Sequence, residues 1–129
     1  MQNKVFLGGT CANSTWREEL IPMLKIEYFN PIVEDWTEEC IAIEEEQKNY
    51  KCNIHLYIIT SAMEGVYSIA EAVESTFNKY ATVYFQVMPE GFTKGQLKSL
   101  KATCDLLQRN GTVAFISDEL TTISDILNL

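Results

Sequence analysis

Tyr67 and Glu71 stand four residues apart in the segment Gly65-Val66-Tyr67-Ser68-Ile69-Ala70-Glu71-Ala72. On a helix that spacing stacks the two side chains on one face. A carboxylate among Ile69, Ala70, Ala72 and Val73 is a candidate for burial, and burial shifts a carboxyl's pKa toward useful acid–base chemistry. The plain alternative is an exposed helical glutamate. A second candidate is the run Gly8-Gly9-Thr10-Cys11-Ala12-Asn13-Ser14-Thr15-Trp16-Arg17, where two glycines and several hydroxyls precede a helix start. Backbone amides in such a loop can approach an anion or a sugar hydroxyl closely, although neither a GxGxxG nor a Walker pattern is present. Trp16 and Arg17 either serve that loop or pack on the following helix. A third is Asn30-Pro31-Ile32-Val33-Glu34-Asp35-Trp36, with Trp36 a base-stacking or lid residue or else core, and Asp35 an acid or else a helix cap.

Other chemistries are excluded. His55, the single histidine, lies in the apolar run Ile54-His55-Leu56-Tyr57-Ile58-Ile59, which reads as structural, and a Ser-His-Asp or Cys-His enzyme falls with it. Cys11, Cys40, Cys52 and Cys104 form no CxxC pair, so neither a zinc knuckle nor a thioredoxin-type motif is present. They read as reduced, ordinary residues, and no metal or cofactor is expected.

The elements that must position these candidates alternate between short β-rich runs and longer helical ones, the pattern of a mostly parallel sheet covered by helices. Strands are predicted over 4–8, 26–30, 53–60, 81–88 and 112–117. The third and fourth are nearly continuously apolar and belong in the centre. Helices are predicted over 14–24, 37–50, from 65 or 66 to about 78, 94–109 and 118–127. Asn13 or Ser14 with Glu18 suggests a capping box on the first, and Pro22 ends or distorts it. Thr37 caps the second, whose Glu44-Glu45-Glu46 run reads as a solvated face. The resulting α/β fold is a flavodoxin-like, doubly wound, five-stranded sheet of order 2-1-3-4-5, and ligands collect outside the carboxyl ends of its strands. All 129 residues read as one domain, 1–129, without repeat or linker.

Ten Lys plus Arg against 18 Asp plus Glu give a net charge of -8. With a pI near 4.6 and no basic run, nothing is available to neutralise a phosphate backbone, so nucleic acid is not the expected partner. No apolar stretch approaches the roughly 20 residues that cross a bilayer, and the opening residues lack a signal peptide's long apolar run. A cytoplasmic protein without membrane partners is expected.

Several stretches together resemble the nucleoside 2-deoxyribosyltransferase superfamily, in its nucleoside 2-deoxyribosyltransferase-like branch. They are Val5-Phe6-Leu7-Gly8-Gly9-Thr10 with Ser14-Thr15-Trp16-Arg17, Tyr28-Phe29-Asn30-Pro31 with Asp35-Trp36-Thr37, and Gly65 through Glu71. A weaker echo, Glu90-Gly91-Phe92 with Gln96 and Ser99-Leu100, extends into the C-terminal half. The resemblance implies cleavage or exchange of the N-glycosidic bond of a (deoxy)nucleoside or nucleotide, and a homo-oligomer, dimer or higher. It implies Glu71 as nucleophile, Gly8, Gly9 and Thr10 as the sugar or phosphate loop, and Gly65 and Ser68 beside the sugar. Gly65 precedes Glu71 by six positions rather than about four, and Thr60 and Ser61 stand where the family's acids are expected. Asp35 or Glu64 then serves as substitute proton donor. Trp16, Trp36, Tyr67 and Phe92 stack on any base, and Arg17 or Lys94 is the candidate clamp for a phosphate. The alternative on the same fold is a non-catalytic protein that sequesters or senses a nucleotide derivative.

Overall fold

Runs of β-branched and aromatic residues set five parallel strands side by side in the computed structural model, which describes residues 2–33, 35 and 37–129. They are β1 (Lys4–Gly9), β2 (Glu27–Phe29), β3 (Ile54–Ile59), β4 (Thr82–Val87) and β5 (Val113–Ile116). The order β2-β1-β3-β4-β5, with every neighbouring pair parallel, is the flavodoxin-like arrangement expected. All six residues of β3 are buried, which is why it reads as continuously apolar and sits in the middle.

Among the described residues five α-helices cover the sheet: α1 (Trp16–Leu20), α2 (Glu38–Glu46), α3 (Tyr67–Ser75), α4 (Lys94–Arg109) and α5 (Leu120–Leu127). Alternation along the strands divides the core in two. Val5, Leu7, Ile54, Leu56 and Ile58 pack against Trp16 and Leu20 of α1 and Leu120, Ile123 and Leu127 of α5. Phe6, Tyr57, Ile59, Val83, Phe85 and Val87 face Ala72 of α3 and Leu100, Cys104 and Leu107 of α4. Each such fully buried aliphatic or aromatic side chain contributes about 1.5–3 kcal/mol, so both layers are strongly held.

Two helices differ from expectation, and both differences shape the site. The first begins at Trp16, with Thr15 as N-cap and no side-chain capping bond, so the predicted capping box does not form; Asn13, before it, takes a left-handed φ of 50°. After Leu20 the chain tightens into a 3-10 turn, Ile21–Met23, at Pro22. The second helix buries no residue over Glu38–Glu46 and then widens into a π turn, Gln47–Lys51, closed by the Cys52 amide donating to the Gln47 carbonyl at 2.7 Å. The widened turn buries Lys48. Among the described residues no helix is long and apolar enough to cross a membrane. All four cysteines are free, and burial pushes the thiols of Cys52 and Cys104 up to about 11, so they stay protonated.

Candidate active site

Strand β1 ends in two glycines because its backbone meets β3 too closely for any side chain. A Cβ on Gly8 would stand 2.6 Å from the Tyr57 ring, and one on Gly9, whose φ is +117°, would collide with the Ile58 backbone. Beyond them the Thr10 amide donates to the Ile58 carbonyl at 2.9 Å, and the Thr10 hydroxyl accepts from the Thr60 amide at 2.9 Å. The loop is thereby tied to the carboxyl end of β3 on both its backbone and its side chain.

Arg17 completes that tie. Its guanidinium donates to the carbonyls of Leu7 (3.0 Å), Thr10 (2.8 Å) and Gly9 (3.3 Å), and lies 4.3 Å from the centre of the Trp16 ring. The Trp16 indole N–H donates to the same Thr10 carbonyl at 3.0 Å. Burial lowers the Arg17 pKa from its ordinary value, with Cys11 and Glu44 opposing the shift. Trp16, only 1% exposed, is therefore core and does not line the cavity described next. Arg17 reaches the cavity wall with three of its five N–H groups already engaged.

The cavity, about 780 Å³, opens between the β1 loop, the end of β3, α2 and the first turns of α3, at the switch point where the strand order reverses. The structure brings Gly8, Gly9, Thr10, Arg17, Glu64, Gly65, Tyr67, Ser68 and Glu71 together around it. It does not bring Asn30, Asp35, Phe92 or Lys94 there. The Asn30 side chain instead accepts from the Ile32 amide at 3.1 Å, and Asp35 is exposed. Trp36 lies outside the described residues.

Glu71 meets the wall of the cavity in an ion pair. Lys48 Nζ stands 2.9 Å from Glu71 Oε2, with the two side chains only 9% and 11% exposed, and 3.7 Å from the well-exposed Glu74. Burial alone would lower the Lys48 pKa, but its bond to Glu71 and the charges of Glu71 and Glu74 raise it overall, so the ammonium persists. A third group, Glu44, lines the same cavity. Burial, and after it the charge of Glu71, raise the Glu44 pKa against the opposing pull of Lys48 and Arg17.

The ion pair is anchored from beneath by His55. Its Nε2 lies 2.6 Å from the Lys48 carbonyl, which only accepts, so Nε2 carries the proton. Nδ1 then accepts from the Ser75 hydroxyl at 2.8 Å, and Ser75 accepts from the Tyr57 hydroxyl at 2.7 Å. One neutral imidazole thus fixes the backbone of Lys48 and the helix turn after Glu71. Burial holds its pKa below the usual histidine value.

Glu44 and Lys48 are the residues that the sequence reading passed over, since the acidic run reads as a solvated face. Glu45 and Glu46 are indeed exposed, but Glu44 is not. The usable signal was Ile41, Glu44 and Lys48 at helical spacing, one apolar residue and an i, i+4 ion-pair set on a single stripe. Residues 2–86, which carry nearly every group named around the cavity, match the family model described as nucleoside 2-deoxyribosyltransferase like. No curated protein and no solved structure matches the chain.

Proposed function

The chain belongs to the nucleoside 2-deoxyribosyltransferase-like family, and on that premise we propose that it cleaves or exchanges the N-glycosidic bond of an unphosphorylated (deoxy)nucleoside through Glu71. The observation that carries this reading is the Glu71 carboxylate at the wall of the switch-point cavity, paired with the buried Lys48. One Glu71 oxygen bonds Lys48, and the other is available to attack the anomeric carbon as the base departs. The glycosyl ester is then displaced by a second base or by water, and two inversions at one carbon retain configuration.

The cavity's charge favours a neutral substrate. Glu44, Glu45, Glu64, Glu71 and Glu74 line it. Among the described lining residues its cations are Lys48, committed to Glu71, and Arg17, committed to three carbonyls. A phosphate dianion would enter a field of its own sign. Phe6, Ile59, Met63 and Ile69 give the apolar floor that a sugar edge and base face need, and Tyr67, exposed at the rim, is placed to stack. The same reading takes the protein to be a cytoplasmic homo-oligomer, with the exposed Val66, Phe77 and Tyr80 at the two ends of α3 as apolar surface for a neighbouring copy.

Incubation with a deoxynucleoside and a free acceptor base, followed by chromatography, tests the proposal. Exchanged or hydrolysed product is expected, with a deoxyribosyl adduct on Glu71 by mass spectrometry. Glu71→Gln should lower turnover by about 10³-fold or more, an effect in the range of lost nucleophiles. Turnover that survives Glu71→Gln overturns the assignment. Nucleoside-dependent thermal stabilisation without turnover would transfer the protein to a sequestering or sensing role.

A further inference from the structure

Departure of a nucleobase from carbon needs a proton as well as a nucleophile, because the bond's electron pair ends on the base nitrogen. Glu71 is committed to the other half of the reaction and is already bonded to an ammonium. The donor must therefore be a second acid facing the same cavity, partly withdrawn from water, and lacking a cation of its own.

Glu44 meets these conditions. It lines the cavity and is partly buried. It lies near the end of α2, four residues before Lys48 of the π turn, and both residues line the cavity in which Lys48 Nζ reaches Glu71 Oε2 at 2.9 Å. The other acids at the cavity are poorer candidates: Glu45 and Glu64 are exposed, and Glu74 is 75% exposed with its oxygen turned to Lys48 at 3.7 Å.

We propose that Glu44 is the proton donor to the departing base, a catalytic residue in the reaction whose nucleophile is Glu71; the assignment rests on the glycosidic-bond reading above. In the first half-reaction a Glu71 oxygen bonds to the anomeric carbon while the carbon–nitrogen bond breaks. Its electron pair goes to the base, and the Glu44 carboxyl proton follows to the base, leaving Glu44 ionised. In the second half-reaction the Glu44 carboxylate takes a proton from the incoming water or base, whose heteroatom displaces the Glu71 carboxylate.

The charges around Glu44 suit this cycle. Glu71 from α3 and Glu45 on its own helix favour the protonated form, as burial does, while Lys48 and Arg17 keep deprotonation within reach. Two carboxyl groups in unlike surroundings divide the acid and nucleophile roles between them. The donor form is lost as pH rises through the raised Glu44 value, so turnover of an unactivated nucleoside should fall over that limb.

Glu44→Gln compared on two substrates tests the proposal. With an ordinary purine deoxynucleoside, kcat/KM should drop by about 10²–10⁴-fold, the usual worth of a positioned acid, and the alkaline limb should vanish. With the N7-methylated purine deoxynucleoside, whose cationic base leaves without needing a proton, the loss should stay within about tenfold. The second substrate also reports that the variant is folded. Equal losses on both substrates, or no loss on the ordinary one, overturn the role of Glu44. Glu71→Gln should fail on both. A wild-type protein that turns over neither substrate refutes the glycosidic-bond reading itself and the Glu44 role with it, a result distinguished by needing no variant.

Discussion

Two buried cations line the cavity and are used in opposite ways. Arg17 delivers its guanidinium to three neutral carbonyls of the β1 loop, so its charge organises backbone. Lys48 delivers its ammonium to a carboxylate, with a second, Glu44, four residues before it in the chain and lining the same cavity, so its charge organises titratable groups. The planar fork of arginine suits the first task and the point charge of lysine the second. One wall is thus a fixed frame and the other a set of groups whose protonation can change, and a substrate between them would be positioned by the first and transformed by the second.

The frame wall should be the less forgiving. Gly9→Ala places a methyl group against the Ile58 backbone at a φ of +117°, where both the space and the conformation are wrong. A loss of roughly 4 kcal/mol or more is expected, which would leave little folded protein by denaturant titration. Gly65→Ala, across the cavity, meets nothing within 4 Å and should change stability by less than about 0.5 kcal/mol. Comparable losses at the two glycines would mean that the walls do not differ in rigidity.

The cations themselves can be exchanged for methionine. Arg17→Met removes three charge-assisted hydrogen bonds to the β1 loop, although the Thr10 carbonyl keeps the Trp16 indole, and should cost about 3 kcal/mol, with kcat on the remaining folded protein changed less than about fivefold. Lys48→Met should cost a similar or smaller amount, about 2–3 kcal/mol, because Glu71 keeps some access to water. Its kinetic effect should be far larger, since Glu71 then loses the bond at 2.9 Å that orients its carboxylate at the cavity wall. Lys48→Arg, which keeps a cation, should recover part of the activity. If Arg17→Met damages kcat as deeply as Lys48→Met in folded protein, the separation of roles is wrong.

What was legible in the sequence divides along the same line. The five strands and their order follow from short, in two cases nearly continuous, apolar runs and from the alternation with helices, and the structure has all five. The β1 loop and the segment from Gly65 to Glu71 were visible as well, because glycine pairs and an i, i+4 spacing are local features. Lys48 and Glu44 were not, since the first meets Glu71 across 23 residues of chain and the second only lines the cavity that this approach creates. The π turn that buries Lys48 leaves no mark in composition: Gln47-Lys48-Asn49-Tyr50-Lys51 reads as an ordinary polar helix end. The placement of Trp16 was open for the reverse reason, as a tryptophan beside a loop signals burial and stacking alike.

The smallest predicted effect separates the walls by pH. His55 joins the Lys48 carbonyl to Ser75 and is neutral, with a pKa below its ordinary 6.5 because it is buried. The unfolded chain therefore binds a proton in a range where the folded chain does not. Stability is fully present above about pH 6.5 and is lost as pH falls below it, by at most about 1.4 kcal/mol per pH unit, until the depressed folded value is reached. Glu44, with its pKa raised, contributes in the other direction, since its stabilisation is present below the ordinary carboxyl value of 4.5 and lost as pH rises through the folded value. The informative quantity is thus the difference between the wild-type chain and His55→Asn, measured by denaturant titration from pH 5 to pH 7.5. The variant should be less stable at pH 7.5 and should lack the loss below pH 6.5. Arg17 does not titrate in this range, so its clamp on the β1 loop should hold throughout. A pH dependence that is the same in both proteins would show that His55 is not the bond on which the α2–α3 wall depends.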